Sequence, residues 1–120
     1  PFYLGHADEL GAGDGLGFNL NLPLSSGASA DRWFRALDAA CQRVASYRAD
    51  ALVVSLGLDT FAGDPISTFQ LQSPDYERLG SRLADLALLT VLILEGGYAA
   101  QALGVNAANV LQGFETSQTN

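Results

Sequence analysis

Stretches of periodic hydrophobicity, separated by glycine and proline, divide the chain into helices and strands. Apolar residues at helical spacing follow Ser29 and Asp31, either of which is a suitable N-cap, and they predict a helix to about Tyr47. The positions that this helix should bury are Trp33, Leu37, Cys41 or Ala40, and Val44. Continuous apolar runs at residues 51–56 and 90–94 predict strands, and such runs are typical of parallel sheets covered on both faces.

Three weaker patterns complete the expected element order. Alternation over residues 19–24 predicts a short strand. Ser73 as N-cap and Pro74 in the first turn predict a helix start. The stripe that this helix should bury is Tyr76, Leu79, Leu83 and Leu86. A last helix should bury Leu103, Ala107, Val110 or Leu111, and Phe114. The alternation of strands and helices predicts an α/β fold, with a parallel sheet flanked by helices.

Two polar side chains follow the ends of the two apolar strands. Asp59 comes after the first, and Tyr98 follows Gly96 and Gly97 after the second. Carboxyl ends of parallel strands share one sheet edge, where ligands bind, so we expect both residues to face one pocket. Asp59 is either a metal ligand or base, or a turn residue that accepts main-chain hydrogen bonds. Tyr98 either donates a hydrogen bond to a developing oxyanion or packs on the rim.

Composition narrows the function classes. The 120 residues include only six Lys and Arg and carry a net charge of −7, which argues against a nucleic-acid surface. Cys41 is the only cysteine, so the chain has no intrachain disulfide or Cys-based metal cluster. His6 is the only histidine, and in its glycine-rich loop we expect a structural role. The lack of a signal peptide and of a membrane-length apolar run predicts a cytoplasmic protein with no membrane partner.

Four segments are distinctive in content, order and spacing. They are FYLGHADE at residues 2–9, SLGLDTFAGDPIS at 55–67, SPDY at 73–76 and EGGY at 95–98. Together they resemble the histone deacetylase superfamily, and within it most nearly the bacterial acetylpolyamine amidohydrolases. The resemblance extends from residue 2 to about 114 and implies the arginase-like α/β fold. Because residue 1 is proline and the family's upstream motifs are missing, we expect residues 1–120 to be the C-terminal portion of a deacetylase-like domain.

The resemblance implies a zinc-dependent hydrolase that removes acetyl groups from acetylated polyamines or acetyl-lysine. Asp59 matches the family's second zinc-binding aspartate, and Tyr98 matches the tyrosine that hydrogen-bonds the substrate carbonyl. The residues that match the lining of the family's substrate tunnel are Phe2 or Tyr3, together with Ile66. The resemblance also implies that four residues support the loops that carry Asp59 and Tyr98. They are Gly57, Asp64, Gly96 and Gly97.

The chain also departs from the family. The Asp-x-His pair that supplies two zinc ligands and the tandem histidines that act as base and acid are absent. We therefore expect zinc in the complete enzyme but not in this chain alone. The alternative to an enzyme is a catalytically silent fragment or a self-associating module, since a missing upstream half would leave strand edges and apolar surface uncovered. A homo-oligomer is the expected assembly.

Overall fold

The computed structural model describes residues 5–118 and confirms an α/β chain with a parallel sheet. A short 3₁₀ turn at Gly13–Gly15 precedes the regular elements. These are α1 (Ala30–Tyr47), β1 (Ala51–Leu56), α2 (Ser73–Ala84), β2 (Leu89–Leu94) and α3 (Ala100–Gln118). The three predicted helices and the two apolar strands are confirmed, and the strand bounds and the starts of α1 and α2 lie within two residues of those expected.

Side-chain hydrogen bonds fix where the first two helices begin. The Ser29 hydroxyl accepts from Arg32 N–H at 3.4 Å, so Ser29 and not Asp31 caps α1. Helix α2 begins one residue earlier than expected, with Gln72 as its N-cap. The carboxylate of Asp75 reaches back and accepts from the Gln72 N–H at 2.8 Å, which holds Gln72 at the boundary.

The strand expected at residues 19–24 is wrong, because this segment is irregular. The alternating polar residues that suggested it instead serve a loop. The Asn21 side-chain amide donates to the His6 carbonyl at 2.9 Å, and the Asn19 amide donates to the Glu9 carbonyl. These bonds tie the segment to the loop 10 to 15 residues before it, and asparagine is depleted in strands, so the alternation of Leu20 and Leu22 does not produce a strand.

The two strands pair in parallel, with Ala51 opposite Leu89 and Leu56 opposite Leu94. Their hydrogen bonding continues past the strand ends. Glu95 N–H donates to the Leu56 carbonyl at 3.0 Å, and Leu58 N–H donates to the Gly96 carbonyl at 3.3 Å. The loops that carry Asp59 and Tyr98 therefore start side by side.

The hydrophobic core lies on one face of this sheet and includes residues from all three helices. Its buried members are Phe34, Leu56, Leu58, Leu71, Tyr76, Leu79, Leu83 and Val110. In α1 the fully buried residue is Phe34, while the expected Trp33 and Leu37 pack against the core from partly exposed positions. All these helices share a face, so the expectation that both faces are covered fails within residues 5–118. The uncovered face exposes Val53, Leu89, Val91 and Ile93.

Helix α3 settles the alternative that its sequence left open. Val110 is fully buried, whereas Leu111 is half-exposed. The helix packs closely on α2, since a Cβ atom added at Gly113 would lie 1.9 Å from the Glu77 carbonyl oxygen. Within the part of the chain that the structure describes, no helix combines the length and apolar character needed to cross a bilayer.

Candidate active site

Two glycines enclose the carboxylate of Asp59. A Cβ atom added at Gly57 would lie 2.8 Å from Asp59 Oδ1, and one added at Gly96 would lie 3.2 Å from Oδ2. The half-buried carboxylate therefore lies against the main chain of both strand-end loops. Any side chain at either glycine would push the carboxylate away from this place.

Asp59 also lines a cavity of about 480 Å³, a size that suits a small molecule. The residues around the cavity are Leu24, Ser25, Ser26, Asp59, Ile66, Ser67, Thr68 and Phe69. Two hydrogen bonds join residues 26–27 to Thr68 at the outer wall of the cavity. Ser26 Oγ lies 3.1 Å from Thr68 Oγ1, which also accepts from Gly27 N–H at 3.3 Å. The structure thus brings Ile66, expected at the substrate tunnel, to the same cavity as Asp59.

Tyr76 supports the Asp59 loop from the hydrophobic core, a role that the sequence did not reveal. Its fully buried hydroxyl donates to the Leu58 carbonyl at 3.2 Å and lies 3.1 Å from Thr60 Oγ1. Burial raises the pKa of Tyr76 to about 12; the Thr60 hydrogen bond opposes this, and nearby carboxylates, Asp59 first, add to it. The neutral hydroxyl therefore holds both neighbours of Asp59. The available signal was a tyrosine within an apolar helix stripe, because a buried phenol usually finds a partner.

Asp64 connects the two strand-end loops. Its buried carboxylate accepts from Ile66 N–H at 3.0 Å through Oδ1 and from Tyr98 N–H at 2.7 Å through Oδ2. Burial by itself would raise the pKa of Asp64, but main-chain N–H groups, including those of Ser67 and Ala99, outweigh it and lower the pKa below its ordinary value. The carboxylate is therefore ionised at neutral pH.

Tyr98 reaches this edge through a turn that only glycine fits. Gly96 and Gly97 have φ of +80° and +113°, a region that side chains disfavour. A Cβ atom at Gly97 would lie 2.9 Å from Leu58 Cβ and 2.8 Å from Leu103 Cδ1. The Tyr98 side chain itself is 55% exposed and does not line the Asp59 cavity. The structure brings the main chain of Tyr98 to Asp64 and leaves its ring at the surface.

The remaining expected residues lie elsewhere. His6 is exposed, and its carbonyl accepts from Asn21 and Glu9 in the N-terminal loop. Phe2 and Tyr3 lie outside the described residues. Among residues 5–118, no three His, Cys, Asp or Glu side chains form a group that could hold a metal ion.

The Asp59 carboxylate nevertheless suits one position in a zinc site. It is half-buried in a cavity, and within residues 5–118 no protein group hydrogen-bonds it. Carboxylate oxygen is an established zinc ligand beside histidine nitrogen. Among residues 5–118, the surroundings of Asp59 therefore fit one carboxylate ligand of a metal site that other residues would have to complete.

The histone deacetylase domain matches residues 1–114 of the chain. Acetylpolyamine amidohydrolase 1 of Pseudomonas aeruginosa is 58% identical over 115 residues, which are 96% of this chain and 33% of that protein. The acetylpolyamine amidohydrolase of Mycoplana ramosa is 44% identical, over 94% of this chain and 33% of its own length.

A crystal structure of acetylpolyamine aminohydrolase from Burkholderia pseudomallei superimposes with a TM-score of 0.93 at 39% identity. That superposition covers 95% of this chain and 33% of the solved one. The chain thus spans about a third of the length of the relatives it matches. The resemblance seen in the four sequence segments, and the deacetylase-like fold that it implied, are confirmed. The chain belongs to the histone deacetylase domain family.

Proposed function

We propose that this chain is the C-terminal portion of a zinc-dependent amidohydrolase that removes acetyl groups from acetylated polyamines, with acetyl-lysine as the alternative substrate. The observation that carries this proposal is the Asp59 carboxylate, which lies in a cavity at the carboxyl edge of the sheet and accepts no hydrogen bond from residues 5–118. The relatives named for acetylpolyamines support the choice of substrate. The expected cytoplasmic location stays a prediction.

We assign a task in this reaction to three residues of the chain. Asp59 holds the metal as one of its ligands, and the others come from outside residues 5–118. Zinc, when bound, polarises the substrate carbonyl and activates the attacking water. Tyr98 donates its hydroxyl proton in a hydrogen bond to the carbonyl oxygen as negative charge develops there. Ile66 packs against the aliphatic part of the substrate.

The deciding experiment is Tyr98→Phe in the complete protein, assayed with zinc on acetylputrescine and on an acetyl-lysine peptide. Loss of a donor to the oxyanion should lower kcat by about 100-fold or more and leave KM nearly unchanged. Tyr47→Phe, which removes an exposed hydroxyl from α1, serves as the matched control. Unchanged turnover in Tyr98→Phe would refute the oxyanion role, and an inactive wild-type protein would refute the proposed activity.

A second candidate function is self-association of the chain as it stands, without catalysis. Within residues 5–118, the uncovered face of the two-stranded sheet exposes four large apolar side chains, Val53, Leu89, Val91 and Ile93. Parallel sheets are ordinarily buried on both faces, so a second copy would bury this one. Sedimentation should then show a dimer that Val91→Thr weakens, whereas a monomer at every concentration would exclude this function.

A further inference from the structure

The geometry points to Asp64 as a positioning residue that fixes the Tyr98 loop against the Asp59 loop. One carboxylate oxygen accepts from Ile66 N–H, in the loop that follows Asp59. The other accepts from Tyr98 N–H, 34 residues further along the chain. A single buried side chain therefore joins the two loops in which we place the zinc ligand and the oxyanion donor.

The start of helix α3 explains why this connection matters. The Ala99 carbonyl accepts the first helical hydrogen bond, from Leu103 N–H at 3.0 Å, so Ala99 occupies the N-cap position of α3. Alanine has no side chain that can cap the free N–H groups of a helix start. Asp64 acts instead where the chain enters the helix: it accepts from Tyr98 N–H at 2.7 Å, one residue before the N-cap, and from the N–H of Ala99 itself.

The connection leaves the Tyr98 loop little freedom. The two glycines before Tyr98 have positive φ and, unlike most residues, are able to take many other conformations. Beyond them, the first fixed point is the Tyr98 main-chain nitrogen, 2.7 Å from Asp64. The exposed ring and hydroxyl of Tyr98 therefore depend on Asp64 for the place of their own backbone. This inference rests on the proposed function only where it assigns a catalytic consequence.

Hydrogen exchange in the wild-type chain tests the connection without any variant. A main-chain N–H group near the surface that lacks an acceptor exchanges nearly freely. We expect the Tyr98 and Ala99 amides to exchange at least about tenfold more slowly than their intrinsic rates, since Asp64 accepts from Tyr98 N–H at 2.7 Å and the Ala99 N–H faces the same carboxylate. Exchange of both amides at the intrinsic rate would overturn the proposal.

Two variants identify Asp64 as the acceptor. Asp64→Ala should remove the protection of both amides, whereas Asp64→Asn, which keeps one acceptor oxygen, should lose only part of it. Asp50→Asn removes the same charge from an exposed site at the opposite end of β1 and should leave both amides protected. Full protection in Asp64→Asn and Asp64→Ala would overturn the assignment. If Asp64→Ala fails to fold, the Asn variant and the wild-type measurement decide.

Steady-state kinetics in the complete protein test the catalytic consequence. Asp64→Asn should lower kcat by about tenfold or more with little change in KM, and it should cost little further rate in a Tyr98→Phe background, because it acts through Tyr98. Additive effects of the two substitutions would overturn the positioning role. An inactive wild-type protein would refute the proposed function instead, while the amide measurement would still decide whether Asp64 holds the loop.

Discussion

The hydroxyl of Tyr76 donates a hydrogen bond to the main-chain carbonyl of Leu58 across 3.2 Å, one residue before Asp59. Tyr76→Phe would leave this buried carbonyl without its partner, and the free energy of unfolding should fall by about 1–2 kcal/mol. Urea denaturation measures the change. Tyr47→Phe, at an exposed position of α1, should change stability by less than about 0.5 kcal/mol. Equal stabilities for the two variants would argue against the buried hydrogen bond.

The close approach at Gly97 predicts a second difference in stability. Gly97→Ala combines an unfavourable φ of +113° with Cβ contacts below 3.0 Å to Leu58 and Leu103, so it should destabilise the chain by about 2 kcal/mol or more. Gly104→Ala is the matched control in helix α3, where an added Cβ meets no atom within 4 Å. It should instead stabilise the helix, by up to about 1 kcal/mol. Thermal unfolding measures the midpoint of both variants. A shift of the two midpoints in the same direction would contradict this account.

Acid should weaken the fold through Asp64. Its pKa is lower in the folded chain than the ordinary aspartate value of 3.8, so the unfolded chain takes up the proton first as the pH falls. The stabilisation from this carboxylate is complete above pH 3.8 and is lost as the pH drops through the lower folded value. Glu9, which accepts from Gly5 and His6 N–H, has a lowered pKa for the same reason and acts in the same direction.

Unfolding measured from neutral pH to about pH 2 should therefore show a steep acid limb that is shallower in Asp64→Asn, because the variant has no proton to gain there. Asp50→Asn should retain the wild-type slope, since the Asp50 side chain is exposed and makes no hydrogen bond or ion pair with residues 5–118. An identical slope in wild type and Asp64→Asn would contradict the origin assigned to the acid limb.

The zinc content after dialysis should differ between the isolated chain and the complete protein. One carboxylate cannot provide the three or four ligands of a protein zinc site, so the 120-residue chain should retain no stoichiometric zinc after dialysis. The complete protein should retain one zinc ion, and Asp59→Asn should reduce that content, with Asp50→Asn as its control. Stoichiometric zinc on the isolated chain would contradict this ligand count.

Local patterns predicted the fold well where one element contained the whole signal. Continuous apolar runs located both strands, and helical periodicity located all three helices. The strand expected at residues 19–24 failed because its asparagines bond to a loop that is distant in sequence. Likewise, apolar residues on both faces of β1 and β2 could not reveal that the helices of this chain cover only one of them.

The site was predictable only in part, for a related reason. The spacing of Asp59 and Tyr98 after parallel strands placed both at one edge of the sheet. Two contacts could not be predicted from local sequence, because each joins residues that are far apart along the chain. They are the hydrogen bond from Tyr76 to Leu58 and the connection from Asp64 to Tyr98. Such contacts depend on tertiary packing and become visible only in three dimensions.

The residues on the two sides of the Asp59 carboxylate differ in how freely they can be substituted after a gene duplication. On one side, Gly57 and Gly96 leave no room for a side chain beside the carboxylate. On the other, Ser25, Ser26, Ile66 and Thr68 are exposed loop residues. A duplicated gene could therefore acquire a new ligand preference through loop substitutions alone while the carboxylate stays in place. A mutant library that aims to change selectivity should vary the loop side and keep both glycines.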